Sequence, residues 1–307
     1  MGSELRVTAW TADEPGALSS FDAVFNEFDR LESLMSTWRA GSDVDRLNAA
    51  AGQHPVRVSG DVLSVLETAR QVSEWTDGRF DVTFGALSGL WKFDHDQDNT
   101  VPDMDAVRSR LRLVDYRALK TDAAAGTAFL ERAGMSVNLG GIGKGYAIDR
   151  AVAILRARGL NNFLIQAGGD VYAAGRKDGQ PWRLGVQDPR GPGGRAFARV
   201  AVSDLTFSTS GDYERAFVKD GRRYHHIIDL TTGEPARGCR STTVLTTRAV
   251  MADALSKAVF LLGPERGMAL YDRLHVDAIV VTVKNEVLVT PGLKGRLELV
   301  SAPTDAP

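Results

Sequence analysis

Residues 137–149 read V-N-L-G-G-I-G-K-G-Y-A-I-D, and no other stretch narrows the fold as far. Gly140, Gly141, Gly143 and Gly145 surround Ile142 and Lys144, and an amphipathic pattern follows at Ala147, Ala151, Ile154 and Leu155. Glycine adopts conformations closed to other residues and lets backbone approach closely, so such a cluster marks a tight turn or a ligand seat. A helix starting there presents unpaired N–H groups and the positive end of its dipole, which suits an anion such as phosphate. Two familiar phosphate motifs do not fit. Lys144 is followed by Gly145 rather than Ser or Thr, which excludes the P-loop, and Tyr146 stands where a dinucleotide fingerprint needs its third glycine. A phosphate seat and a purely structural turn are both open on this segment alone.

The 307 residues accommodate one large domain or two smaller ones, with a core that needs no disulfide. Charged residues make up 25% and the net charge is −2, which gives no reason to expect nucleic acid. Cys239 is the only cysteine, so an internal disulfide and a multi-cysteine metal site are excluded. No apolar run reaches membrane-spanning length, and residues 1–7 lack the pattern of a signal peptide. The expected location is cytoplasmic, or periplasmic or membrane-anchored if a leader has been removed.

Periodicity predicts a strand over 5–9, helices over 18–35 and 62–75, a loop over 94–105, and a helix after the glycine cluster capped by Gly159. A strand at 163–165 should stop at Gly168-Gly169-Asp170, and a flexible surface loop should cover 188–194. Strands are expected at 197–202 and 242–246, one helix at 251–262, and a hairpin of 278–283 with 287–290 around Lys284-Asn285. Residues 301–307 should fray. The fold class is α+β with a mainly antiparallel sheet and packed helices, a single domain over 1–300.

Polar groups recur where a plain core would be apolar. Trp38, after a helix end, suits either stacking on a planar ligand or anchoring a core. Residues 208–215, S-T-S-G-D-Y-E-R, suit phosphate or a helix cap. His225 and His226 are adjacent, so on a strand they face opposite ways. One of them beside Asp229 suits a general base. Asp253 and Lys257, four apart on the expected helix, suit an ordinary ion pair, or Asp253 a magnesium ligand.

Taken in order, M-S-T-W, F-D-V-T-F-G, N-L-G-G-I-G-K-G-Y-A-I-D, Q-A-G-G-D-V, P-W-R-L-G-V-Q-D-P, S-T-S-G-D-Y-E-R, Y-H-H-I-I-D-L-T-T-G and A-D-A-L-S-K-A resemble the ApbE family of flavin transferases. The resemblance implies an ApbE-like fold with the FAD site in a cleft between subdomains. It implies FAD as substrate, cleaved with Mg²⁺, and FMN attached to a Thr or Ser of an acceptor flavoprotein while AMP leaves. It places FAD contacts at Met1, Trp38, Arg79, Phe80, Asp81, Asn138, Lys144 and Ile227. The metal falls to the Gly141 carbonyl and Asp253, and the base to His226 with Asp212 and Tyr213 beside it. Three positions depart from the family pattern. Lys257 stands in place of the Thr that would join the metal, Asn138 in place of Asp, and Leu230 in place of Pro. FAD hydrolysis to FMN and AMP is the alternative activity, and FAD binding without catalysis follows if Lys257 abolishes the metal site. The family's acceptor pattern does not occur in the chain, so self-modification is not expected.

Overall fold

The computed structural model describes residues 3–93 and 96–306. The chain gathers into two compact units, each assembled from separated segments, within the span read from sequence as one domain. The first holds residues 29–143 and 214–236; the second holds 3–28, 144–213 and 237–306.

The second unit is built on a seven-stranded sheet of Leu5–Ala9, Phe163–Ala167, Asp170–Ala174, Leu205–Gly211, Cys239–Thr246, Asp277–Thr282 and Val287–Val289. Their order across the sheet is their order along the chain, and every neighbouring pair is antiparallel. The expected antiparallel α+β architecture is therefore found. Side chains alternate between faces along each strand, and the central strands exploit this. Phe207 and Leu245 enter an apolar layer with Trp182, Phe197, Val200 and Ile279. Trp182 and Phe197 belong to a three-stranded sheet of Trp182–Gln187, Ala196–Val202 and Leu297–Leu299. Full burial of a side chain the size of Phe197 contributes about 2 kcal/mol. The intervening residues Ser208 and Ser210 point the other way. There the helix Ala249–Leu255 packs on the sheet. One face of the central strands is thus apolar and the other lined with hydroxyls, and the second face carries the chemistry described below.

The helix after the glycine cluster runs from Gly143 to Ala157. Gly159 ends it at φ +82°, and the Leu160 N–H reaches back 3.0 Å to the Leu155 carbonyl, as a Schellman cap requires.

The first unit contains the helices Asp43–Ala49, Gly60–Trp75 and Met104–Leu111, a small sheet of Val56–Arg57, Thr127–Leu130 and Leu119–Asp122, and the hairpin Ala216–Lys219/Arg222–His225. Trp91, Phe93, Phe217 and Tyr224 stack in succession with centroid separations of 5.2–5.8 Å. The hairpin is thereby fixed to the core around Val107. None of the helices among the described residues is long and apolar enough to cross a membrane.

Four sequence expectations need correction. The loop expected over 94–105 ends at Asp103, which caps the helix Met104–Leu111 by accepting a bond from Asp105 N–H at 3.0 Å. The single helix expected over 251–262 is two, Ala249–Leu255 and Ala258–Leu262, broken at Ser256-Lys257. The segment 188–194 is anchored, because Asp188 and Pro189 are buried and only the tip is exposed. The C-terminal residues are pinned as well. Thr304 donates to the 1%-exposed Asp188 carboxylate through its hydroxyl at 2.7 Å and its N–H at 3.1 Å. Asn285 and Arg240 hold the Pro303 and Thr304 carbonyls. A buried carboxylate that loses a donor carries its desolvation uncompensated. Replacing Thr304 by Val is expected to lower unfolding free energy by about 1–2 kcal/mol, measured by urea denaturation against wild type.

Candidate functional site

In the second unit the Gly143–Ala157 helix meets the Ala249–Leu255 helix at Gly145. A Cβ on Gly145 would run into the Ala249 carbonyl and the Asp253 side chain, whereas its φ, like those of Gly140 and Gly143, is not left-handed. At Gly145 the glycine is required for proximity, not for conformation. The proximity lets the Gly145 N–H donate to Asp253 Oδ2 at 3.0 Å. One turn later Asp149 accepts from the N–H groups of Ala249 at 2.7 Å and Val250 at 3.0 Å, capping the second helix from outside.

Asp253 is wholly buried. Lys257 Nζ lies 2.5 Å from its Oδ1 and 2.5 Å from its main-chain carbonyl. Lys144 Nζ lies 3.7 Å from Asp253 Oδ1 and 3.3 Å from Asp170 Oδ2. Asp170 is buried too and accepts a short bond from the Ser208 hydroxyl. The Ser256 hydroxyl donates to the Asp253 carbonyl at 2.8 Å and is itself bonded to Ser210 at 2.7 Å. Two ammonium groups thus face two carboxylates on the hydroxyl-lined side of the sheet. Burial by itself would raise the Asp253 carboxyl, but Lys144 and Lys257 outweigh it and hold the group below the usual range. For Asp170, burial and the neighbouring Asp253 charge win, and its carboxyl is raised.

The break at Ser256-Lys257 explains how one lysine reaches two oxygens of Asp253. In an unbroken helix the Asp253 carbonyl would accept the Lys257 N–H. Here that N–H turns to Ala254 instead, at 3.3 Å. The carbonyl of Asp253 is left to the Ser256 hydroxyl and the Lys257 ammonium. The pairing expected from i, i+4 spacing is present, although the regular helix that suggested it is not.

These donors do not fit Mg²⁺. Of the Asp253 oxygens, Oδ2 is taken by an N–H, and Oδ1 and the carbonyl are both held by an ammonium. Among the described residues no three His, Cys, Asp or Glu side chains gather as a metal ion would need. Mg²⁺ prefers several oxygens in near-octahedral order. Gly141, expected to add a carbonyl, lies two residues before the helix start at Gly143.

The other expected residues are distributed as follows. Lys144, Asp253 and Lys257 come together as described. Asp212 sits in the same unit, but both its oxygens are taken by Arg190, at 2.7 Å each, with the two side chains 8% and 11% exposed. Arg190 anchors it on both oxygens. The ring of Tyr213 lies over Gly211. In the first unit, Asn48 bonds both the N–H and the carbonyl of Val137, at 2.7 and 3.0 Å, and the Asn138 N–H reaches Val82 at 2.8 Å. These bonds position the start of the glycine segment, where the Asn138 side chain accepts from the Gly140 N–H at 2.8 Å. Arg79 lies 3.5 Å from Asp229 and 3.3 Å from the Thr231 hydroxyl. Trp38 is 65% exposed, which removes the core-anchor alternative. Phe80 and Ile227 are buried. Asp81 is buried as well, and accepts from the Thr83 N–H and hydroxyl and from the Tyr116 N–H, so it organises its own loop. Met1 lies outside the described residues.

The two histidines separate cleanly. His225 is buried, its Nε2 donating to the Ala236 carbonyl at 2.8 Å and its Nδ1 accepting from the Ile227 N–H at 3.3 Å. Both ring nitrogens are used, and the neutral tautomer is fixed. His226 Nδ1 lies 3.1 Å from the Glu214 carbonyl. A carbonyl only accepts, so Nδ1 carries a proton, and in the neutral ring the basic nitrogen is then Nε2.

A family model described as the ApbE family matches residues 1–280. The chain belongs to the ApbE family. An FAD:protein FMN transferase of Treponema pallidum is 35% identical over 300 residues, covering 92% of this chain and 83% of the relative. One from Klebsiella pneumoniae is 34% identical over 292 residues, covering 94% and 89%. The crystal structure of the ApbE protein of Thermotoga maritima superposes with a TM-score of 0.87 at 32% identity, covering 96% of both chains. The flavin transferase ApbE of Vibrio cholerae gives 0.85 at 26%, again over 96% of both. The ApbE-like fold expected from the sequence is therefore established.

Sequence reasoning placed Asp170 only in a strand-end turn and Ser210 only in a hydroxyl-rich segment, and it missed Arg190 and Ser256. Asp170 carried a signal, an acidic residue directly after an apolar strand and a Gly-Gly turn. The others become visible only when distant segments pair.

Two predictions arise here. Replacing Gly145 by Ala forces the two helices apart, and a loss of about 1–3 kcal/mol of stability is expected, read by thermal denaturation. Burial pushes the Asp81 carboxyl up to about 6 despite its hydrogen bonds. A folded-state value above the unfolded one means that the native state holds the proton longer. Stability from this group is therefore complete below the unfolded value and lost as pH rises through about 6. Across that window wild type should lose on the order of 3 kcal/mol relative to Asp81→Asn, by urea denaturation at a series of pH values.

Proposed function

We propose that this chain is a flavin transferase: it cleaves FAD between its two phosphates and attaches FMN to a Ser or Thr hydroxyl of an acceptor flavoprotein. The hydroxyl oxygen bonds to the phosphorus on the FMN side. The bridging P–O bond breaks, AMP departs with the bridging oxygen, and the hydroxyl proton passes to a base. Phosphoryl transfer of this kind depends on positioning and on stabilising negative charge rather than on covalent help from the protein.

Membership, over residues 1–280, in a family whose relatives include proteins named FAD:protein FMN transferase supports the reading, and the Nδ1–H of His226 carries it to a residue. With Nδ1–H directed at a carbonyl, His226 has the form a general base needs, a basic Nε2 on an oriented ring. His225, with both nitrogens engaged in structure, is the less suitable of the two. The family resemblance assigns FAD contacts to Lys144 and, separately, to Trp38 and Arg79. The family resemblance also brings Mg²⁺. Because the donors at Asp253 do not fit it, no step of this scheme runs through a metal.

Incubation with FAD and an acceptor flavoprotein is expected to add one FMN to the acceptor, seen by mass spectrometry, with AMP in equal amount. His226→Asn should lower that rate by roughly 10²–10⁴-fold while leaving FAD binding intact. Free FMN and AMP with an unmodified acceptor would assign hydrolysis instead, and FAD that stays bound and uncleaved would sink the transferase reading.

A further inference from the structure

We propose that the Lys257 ammonium is a built-in cation at Asp253, excluding divalent metal from that carboxylate and supplying, with Lys144, the positive charge of the site. The catalytic half of this inference rests on the transferase reading; the exclusion of metal rests on geometry alone.

Three observations carry it. Lys257 Nζ is held by two oxygens of one residue, Asp253 Oδ1 and its carbonyl, each at 2.5 Å. These are the oxygens a cation entering from this side would use. The carbonyl is available because the helix breaks there and the Lys257 N–H turns to Ala254. The backbone is thus shaped around the ammonium, not merely crossed by it. Second, the remaining carboxylate oxygen is occupied by the Gly145 N–H, and a shift of that contact is blocked by the close helix approach at Gly145. Third, the location is buried. The Lys257 side chain is 12% exposed and that of Asp253 0%. Repulsion between an incoming dication and a fixed ammonium is weakly screened in such surroundings. Two ammonium groups already face Asp170 and Asp253, so a divalent ion would add its charge beside both.

The test uses the full chain and Mn²⁺ as probe, with the free ion followed by electron paramagnetic resonance. Wild type is expected to show no site tighter than about 1 mM. Lys257→Thr, which removes the ammonium and adds a hydroxyl, should gain a site at least about tenfold tighter, and adding Asp253→Asn should abolish it. Lys257→Met keeps the chain length without the charge. It should also bind Mn²⁺ more tightly than wild type, which keeps the test valid if the Thr variant does not fold. In parallel, FAD cleavage by wild type should be unaffected by EDTA, whereas the Thr variant should need added Mg²⁺. A tight wild-type Mn²⁺ site that Asp253→Asn removes would overturn the proposal, as would loss of wild-type cleavage in EDTA restored by Mg²⁺. If wild type cleaves no FAD under any condition, the transferase reading fails, and the Mn²⁺ titration still decides the exclusion of metal.

Discussion

A carboxylate removed completely from water must be compensated nearby, and the compensation of Asp253 organises much of the second unit. Its oxygens recruit both a distant and a neighbouring part of the chain. Oδ2 takes the Gly145 N–H, which requires two helices to touch with no side chain between them. Oδ1 and the carbonyl take Lys257, which requires the helix to stop at residue 255 and restart at 258. Lys144 then lies against both Asp253 and Asp170, joining the helix start to the sheet. Asp149 secures the geometry one turn further on by capping the same helix. A buried ion pair is a weak source of net stability but is costly to break once in place. The arrangement therefore speaks for specification of a local geometry more than for strength.

The first unit uses its buried polar groups differently. Asn48 grips the Val137 backbone through both of its amide functions, and Asp81 ties its own loop to Tyr116. These contacts satisfy main-chain groups that would otherwise be lost on burial. They hold segments of irregular backbone in place without presenting charge outward. The adjacent histidines show the same economy of roles. One is locked between backbone groups, and its neighbour, just past the strand end, turns Nδ1 toward the Glu214 carbonyl.

Much of this was legible in the sequence where the signal is local. The antiparallel sheet, the Gly159 cap and the hairpin around Asn285 each follow from periodicity and turn chemistry over a few residues. The importance of the glycine cluster was legible, but its physical reason was not. Conformational freedom was the natural explanation, and close approach at Gly145 is the observed one, because the partner helix lies about a hundred residues on. The break at Ser256-Lys257 was hidden for a related reason. A-V-M-A-D-A-L-S-K-A-V-F-L-L carries no Gly or Pro, and apolar residues continue on both sides. Where the first helix ends, the side chains of Ser256 and Lys257 take the Asp253 carbonyl and the Tyr271 hydroxyl takes that of Leu255. Serine is known to offer the backbone such alternatives. Asp188 and the tail were misread because Thr304 lies more than a hundred positions from its partner.

Lys257 also separates two ways of supplying positive charge to a phosphate-cleaving site. A bound divalent ion offers two charges and open coordination positions that a phosphate oxygen can enter directly. An ammonium offers one charge and hydrogen-bond donors, and cannot dissociate. At 12% side-chain exposure, with two short contacts to Asp253, Lys257 has already surrendered most of its hydration and conformational freedom during folding. A group ordered in advance incurs no further reorganisation when charge develops on a substrate, which is the condition under which fixed donors are most effective. The second lysine then has a physical rationale. One ammonium cannot match a dication, whereas Lys144 and Lys257, facing Asp253 from the helix start and the helix break, together bring the same formal charge on two separately anchored arms.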